Sequence, residues 1–137
     1  MVDTNVLLRF LLNDAPDQAQ EAALLFQAAD AGRIGLVLPT MVVFEAVFTL
    51  ERAYRQTSAD VVGALLPLFD HPSVEMQDGA MLRRALELHA GQGLGFGDAC
   101  VAALRERIGS AGIATFDRDL RRRCPQAMPP RECVREL

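Results

Sequence analysis

The sequence predicts an α/β fold, a parallel sheet with helices on both faces. Two observations predict it. Short apolar runs bounded by turn residues alternate with longer segments of helical spacing. Successive runs are joined through helices, and a connection of that length makes the paired strands parallel. Parallel crossovers are right-handed, so the C-terminal ends of the strands gather on one side, where open α/β sheets bind ligands. The 137 residues fit one domain, and no internal repeat or linker divides them.

The chain opens with a very short apolar lead, Met1-Val2, that stops at Asp3. A helix follows through Val6, Leu7, Leu8, Phe10, Leu11 and Leu12. With two residues before Asp3, the first strand is either curtailed or starts upstream. Asn13-Asp14-Ala15-Pro16-Asp17 reads as a turn that caps a helix over 17–31, with Ala22, Leu25 and Phe26 on one face and Gly32 as its stop. Residues 35–38 read as a buried strand ending at Pro39. A helix spans 41–55, and Thr57-Ser58 caps another over 59–69, with Pro67 near its end where it does least harm. After the turn at His71-Pro72-Ser73, residues 74–76 form a short strand. A helix over 79–89 runs into a glycine-rich stretch at 91–97. Residues 98–108 are helical, 112–115 form a buried strand, and 117–122 a short helix. The tail holds Pro125, Pro129 and Pro130 and is expected to end in an edge strand near Cys133-Val134.

Composition removes several functions. No apolar run approaches the ~20 residues of a membrane span, and no basic leader with a small-residue cleavage site marks a secretion signal. Cys100, Cys124 and Cys133 form no paired motif and lie far from His71 and His89, which argues against zinc. Free thiols without a signal point to the cytoplasm. The net charge of −4 gives no bulk attraction to nucleic acid, although a local basic patch is compatible with it. All 14 basic residues are Arg, so every mechanism that needs a lysine falls away.

Four acidic positions stand out, each with a structural alternative. Asp3 is at a strand end, as a ligand would be, or simply caps the first helix. Glu45 lies in Met41-Val42-Val43-Phe44-Glu45-Ala46-Val47-Phe48, where a buried charge needs a partner or a metal. It also shares a helical stripe with Thr49 and Arg52, which can face water and pair internally. Asp98 follows Gly95-Phe96-Gly97 in a first helical turn, which the helix dipole alone favours by about 0.3–1 kcal/mol. Asp117 and Asp119 both precede a short helix. Only one is needed as its cap, and Asp117, nearer the strand end, is the candidate for chemistry. Carboxylates without His or Cys suit Mg²⁺ or Mn²⁺. The chemistry that suits such a set is metal-assisted hydrolysis of a phosphodiester.

The order of these motifs resembles the PIN domain and, within it, the VapC-type toxin ribonucleases. The resemblance rests on Asp3-Thr4-Asn5 opening the first helix, Glu45 inside an apolar helix, Phe96-Gly97-Asp98-Ala99 opening a later helix, and Thr115-Phe116-Asp117-Arg118-Asp119-Leu120 after a late strand. It implies an α/β/α sandwich around a parallel sheet of four to five strands, formed by residues 1–137 as a single nuclease domain. It implies Mg²⁺- or Mn²⁺-dependent cleavage of RNA, with tRNA and rRNA among the candidate substrates. Asp3, Glu45, Asp98 and Asp117 would be the catalytic, metal-holding carboxylates. Asn5, Thr115 and Asp119 would orient them from behind. A cognate antitoxin and a homodimer are the implied partners, with no membrane.

Arg9, Arg118, Arg121 and Arg122 are the candidate RNA-binding residues, because guanidinium matches phosphate; the 121–123 run also reads as a solvated helix face. Phe96 is either a core residue or a base-stacking one. Three rivals are weaker. A receiver-like phosphoacceptor needs the lysine this chain lacks. A dehalogenase-like phosphatase needs a second Asp where Asn5 stands. A PIN-like scaffold that binds without cutting has no need of four carboxylates. A non-toxin PIN-type RNA-processing nuclease is the alternative within the same chemistry.

Overall fold

The computed structural model describes residues 1–135. The chain divides into two compact units, Met1–Gly79 and Ala80–Leu137.

The first unit contains α1 (Thr4–Leu12), α2 (Pro16–Asp30), β1 (Leu36–Leu38), α3 (Thr40–Arg52), α4 (Ser58–Phe69) and β2 (Val74–Met76). β1 and β2 pair in parallel, with Leu36 opposite Val74 and Leu38 opposite Met76. The helical crossover through α3 and α4 is what makes that pairing parallel. The short apolar lead is anchored. Residues 1–3 form no strand, but the Val2 amide donates to the Val37 carbonyl at 2.9 Å and Val2 is buried. Phe10 of α1 stacks on Phe26 of α2 with ring centroids 3.8 Å apart. Val43, Val47, Leu50, Val61 and Leu65 are fully buried, as the apolar spacing of α3 and α4 requires.

The starts of α2 and α3 are held by contacts distant in sequence. Asp14 does not cap α2, whose N-cap is Ala15 with Pro16 at its first turn. The Asp14 carboxylate instead accepts from Arg9 at 2.7 Å and from the Tyr54 hydroxyl at 3.1 Å. Pro39 precedes α3 and offers no side-chain cap. Thr40 supplies the anchor: its amide donates to Gln77 Oε1 at 3.0 Å and its hydroxyl to Asp78 Oδ2 at 2.7 Å. Thr57 caps α4 as expected, accepting from the Asp60 amide.

The second unit contains α5 (Gly79–Gln92, of which all but the first residue belongs here), α6 (Phe96–Ile108), β3 (Ile113–Ala114), α7 (Arg118–Arg123), β4 (Ala127–Met128) and α8 (Pro130–Arg135). β3 and β4 pair in parallel, Ile113 opposite Ala127. Leu82 and Leu86 of α5 are fully buried, and Ala99, Ala102 and Ala103 of α6 are buried. The edge strand expected near Cys133-Val134 is a helix. Pro130 sits at its first position, where a missing N–H costs nothing, and Glu132 in the first turn and Arg135 in the last suit the dipole. The strand of the tail lies earlier, at β4. The α/β class therefore holds, with its four described strands hydrogen-bonded as two parallel pairs.

Candidate functional site

In the first unit, Asp3 is both exposed and a cap. Its backbone is extended, and its Oδ1 accepts from the Thr4 amide at 2.9 Å. Thr4 behind it is buried, and its hydroxyl donates to Glu45 Oε2 at 2.9 Å. α1 and α3 are thus tied through Thr4 and Glu45. Glu45 lies on the exposed side of α3, beside Met41 and Phe44, while Val42, Val43, Ala46 and Val47 are buried. It forms no intrahelical pair with Arg52, whose guanidinium lies over the Phe48 ring at 5.0 Å. Asn5, expected to orient a carboxylate, is exposed and lines a cavity of about 420 Å³ with Val6, Arg9, Gln18, Glu21 and Leu25. Thr4, not named among the candidate site residues, is the side chain that hydrogen-bonds Glu45.

In the second unit, Asp98 occupies the first turn of α6 behind Gly95, whose carbonyl accepts from the Ala99 amide at 2.8 Å. The glycine-rich approach to it is pinned at three points. A ring nitrogen of buried His89, Nδ1, lies 2.5 Å from the Leu94 carbonyl oxygen and, facing an acceptor, donates to it. Arg123 Nη1 donates to the Gln92 carbonyl at 3.1 Å. Gly93 adopts φ +67°, and a Cβ there would stand 3.2 Å from Arg123 Nη1, so the turn needs glycine. Phe96 is core, 3 % exposed and edge-on to His89 at 5.6 Å, which ends its candidacy as a base-stacking residue. Among the described residues nothing hydrogen-bonds the Asp98 carboxylate. Burial first, and then the charges of Asp117 and Asp119, raise its pKa above the ordinary value.

β3 leads directly to those two neighbours. The Thr115 amide donates to the Met128 carbonyl at 2.9 Å, and the Thr115 hydroxyl accepts from the Asp117 amide at 3.0 Å. Thr115 thus supports the Asp117 backbone rather than its carboxylate. Asp117 caps α7: its Oδ1 accepts from the amides of Asp119 at 2.7 Å and Leu120 at 3.1 Å. Its other oxygen is left for different work. Asp119 pairs with Arg122 and, at 3.4 Å, with Arg123, and the hydrogen bond from Arg122 is the largest cause of its lowered pKa.

The family comparison covers both units. The PIN domain family matches residues 1–124. The chain belongs to the PIN-domain family. No curated protein and no solved structure gives a significant match. PIN domains are α/β/α folds, and the helix-rich chain with short parallel strands accords with that. They are generally nucleases that act on nucleic acid and use divalent metal ions. Among the described residues no helix is long and apolar enough to cross a membrane.

The PIN-domain chemistry can be tested against the donors. The oxygens of Asp98 and Asp117 are hard ligands, and a cation would offset both the burial and, after it, the carboxylate repulsion that raise the Asp98 pKa. Among the described residues no three His, Cys, Asp or Glu side chains are grouped closely enough to enclose a metal. Mg²⁺ does not demand such a group, since it takes one or two carboxylates and fills its shell with water and phosphate oxygens. Thiol ligation is a poor alternative, because burial pushes the Cys100 thiol up to about 11.

Two arginines of this PIN domain are engaged within the fold. Arg9 donates to Asp14 at 2.7 Å and to Gln18 Oε1 at 2.9 Å, and the Asp14 hydrogen bond is the largest cause of its raised pKa. Arg9→Ala is expected to lower the thermal midpoint slightly, and a salt titration of RNA affinity tests its place among the RNA-binding residues: a shallower slope keeps it there, and an unchanged slope removes it. Arg123, read from the sequence only as part of the 121–123 run, joins α7 to the loop before Asp98. Arg118, Arg121 and Arg122 do share one open hollow, of about 540 Å³.

Proposed function

We propose that this PIN-domain chain is a Mg²⁺- or Mn²⁺-dependent endoribonuclease, the toxin of a VapC-type toxin–antitoxin pair, acting as one nuclease domain in the cytoplasm. Asp3, Glu45, Asp98 and Asp117 are its metal-holding carboxylates, and the family match includes all four positions. The observation that carries this reading is Asp98: a part-buried carboxylate without a hydrogen bond among the described residues, beside two further carboxylates. The helix dipole accounts for a carboxylate in that first turn but not for its burial beside like charges, which a bound cation would offset.

A bound divalent ion would acidify a water and draw charge from the phosphate. The chain's own groups do the rest. The Thr4 hydroxyl fixes one Glu45 oxygen and leaves the other open. Asp117 commits one oxygen to the α7 cap and presents its second. Asp119 holds Arg122 and Arg123 in place. Arg118, Arg121 and Arg122 offer phosphate contacts that bring RNA to an acidic protein. The motif order read from the sequence supports the finer assignment to VapC-type toxins, with a homodimer and a small antitoxin as partners.

Purified protein is expected to cut structured RNA with Mg²⁺ or Mn²⁺ and to stop when EDTA is added. Asp3→Asn should end cleavage with the fold retained, because Asn caps a helix about as well as Asp. Cleavage by that variant at the parental rate would remove Asp3 from the site. Expression should arrest growth, and a small protein encoded beside this chain should relieve the arrest. Cleavage without growth arrest would favour the RNA-processing nuclease instead.

A further inference from the structure

We infer that Phe116 is the stacking platform of a subsite for a single-stranded RNA nucleotide, rimmed by Arg118, Arg121 and Arg131. Phe116 is 85 % exposed, the most exposed aromatic side chain among the described residues. Its exposure is imposed by ordered backbone. The Thr115 amide is held by Met128 and the Asp117 amide by the Thr115 hydroxyl, while the Asp117 cap fixes the start of α7. The backbone that carries the ring is therefore held in place, so that only the ring's own rotation remains to be ordered when a ligand covers it.

The surroundings name the occupant. Phe116 lines a hollow of about 300 Å³ with Arg118, Arg121, Pro129, Pro130 and Arg131, and among the described residues no carboxylate is in that lining. Arg118 and Arg131 form no ion pair among the described residues. Arg121 has its Nε donating to the Asp117 carbonyl at 3.3 Å, which holds the side chain near the hollow. A flat apolar face among three cations suits a ligand with an aromatic face and an anionic backbone. Bases stacked on aromatic side chains and phosphates held by arginine have that combination. Phe116 directly precedes Asp117, so the stacked base would belong to a nucleotide near the phosphate being cut.

This subsite rests on the RNA-cleaving reading for its substrate, but its test does not need cleavage. Binding of a fluorescein-labelled oligoadenylate is measured by anisotropy in EDTA, with no metal and no turnover. Phe116→Ala should weaken binding about tenfold, the usual scale for one base–aromatic stack. The chain has no tryptophan, so Phe116→Trp introduces a single indole. That variant should keep parental affinity, and oligoadenylate should quench its emission. An oligomer of abasic residues should bind parent and Phe116→Ala alike. Unchanged affinity in Phe116→Ala, or an unquenched indole at saturating RNA, overturns the subsite even if cleavage is intact. A change of sedimentation mass in Phe116→Ala with no change in RNA affinity also overturns it, and assigns the ring to a protein interface.

Discussion

Asp98→Asn is expected to abolish RNA cleavage while making the metal-free protein relatively more stable at neutral pH. The first effect follows from ligation. Removing a group that merely orients a metal ligand costs about 10–100-fold, so removing a ligand should exceed ~100-fold. The second follows from the direction of the Asp98 pKa shift. Burial, then Asp117 and Asp119, raise it above the ordinary carboxylate value. The folded state therefore holds that proton more tightly than the unfolded chain does. Ionisation weakens the fold as pH rises from the ordinary value through the raised one. Asn does not ionise, so the variant should gain on the parent as pH rises from the ordinary carboxylate value through the raised one. Thermal midpoints in EDTA across that range measure the gain. Added Mg²⁺ should raise the parent's midpoint and leave the variant's unchanged. A variant that loses ground as pH rises, or still cuts RNA at the parental rate, would sink the assignment.

Thr4→Val carries the second large effect. The buried Thr4 hydroxyl is the partner that holds Glu45 Oε2, and Val keeps the shape without the donor. Glu45 is exposed, so its freed oxygen can turn to water, and the loss of stability should be near the ~1 kcal/mol of one hydrogen bond. Cleavage should fall about 10–100-fold, the scale for a group that orients a metal-holding carboxylate. Raising Mg²⁺ should restore part of the loss if Glu45 acts through the metal. A Thr4→Ser variant keeps the hydroxyl and should recover most of the activity. Equal loss in the Ser and Val variants would make Thr4 a packing residue only.

Much of this architecture could be read from local pattern. The helices announced themselves through apolar spacing, and even the three-residue β2 was visible as Val74-Glu75-Met76 after a turn. Thr57 was legible as a cap because its partner lies three residues away. Asp14 was not, because the groups that claim it come from Arg9 and from Tyr54, the latter 40 residues on. The tail was misread because a Pro-Pro pair suggests extended chain, whereas Pro130 there begins a helix.

The same division runs through the candidate site. Sequence alone determined which carboxylates to consider and which chemistry suits them, since hard oxygen donors, scattered thiols and an absence of lysine are properties of composition. It also fixed the first-turn placement of Asp98, because Gly95-Phe96-Gly97 breaks the chain just before an apolar helix. Only the tertiary structure decided the rest. It selected Thr4 over Asn5 as the partner of Glu45, buried Phe96 while exposing Phe116, and bound Arg9 to Asp14. The physical reason is range. Spacing and propensity act within a helical turn or a strand pair, but whether a side chain meets water, a carboxylate or a hydroxyl depends on residues that only folding brings beside it.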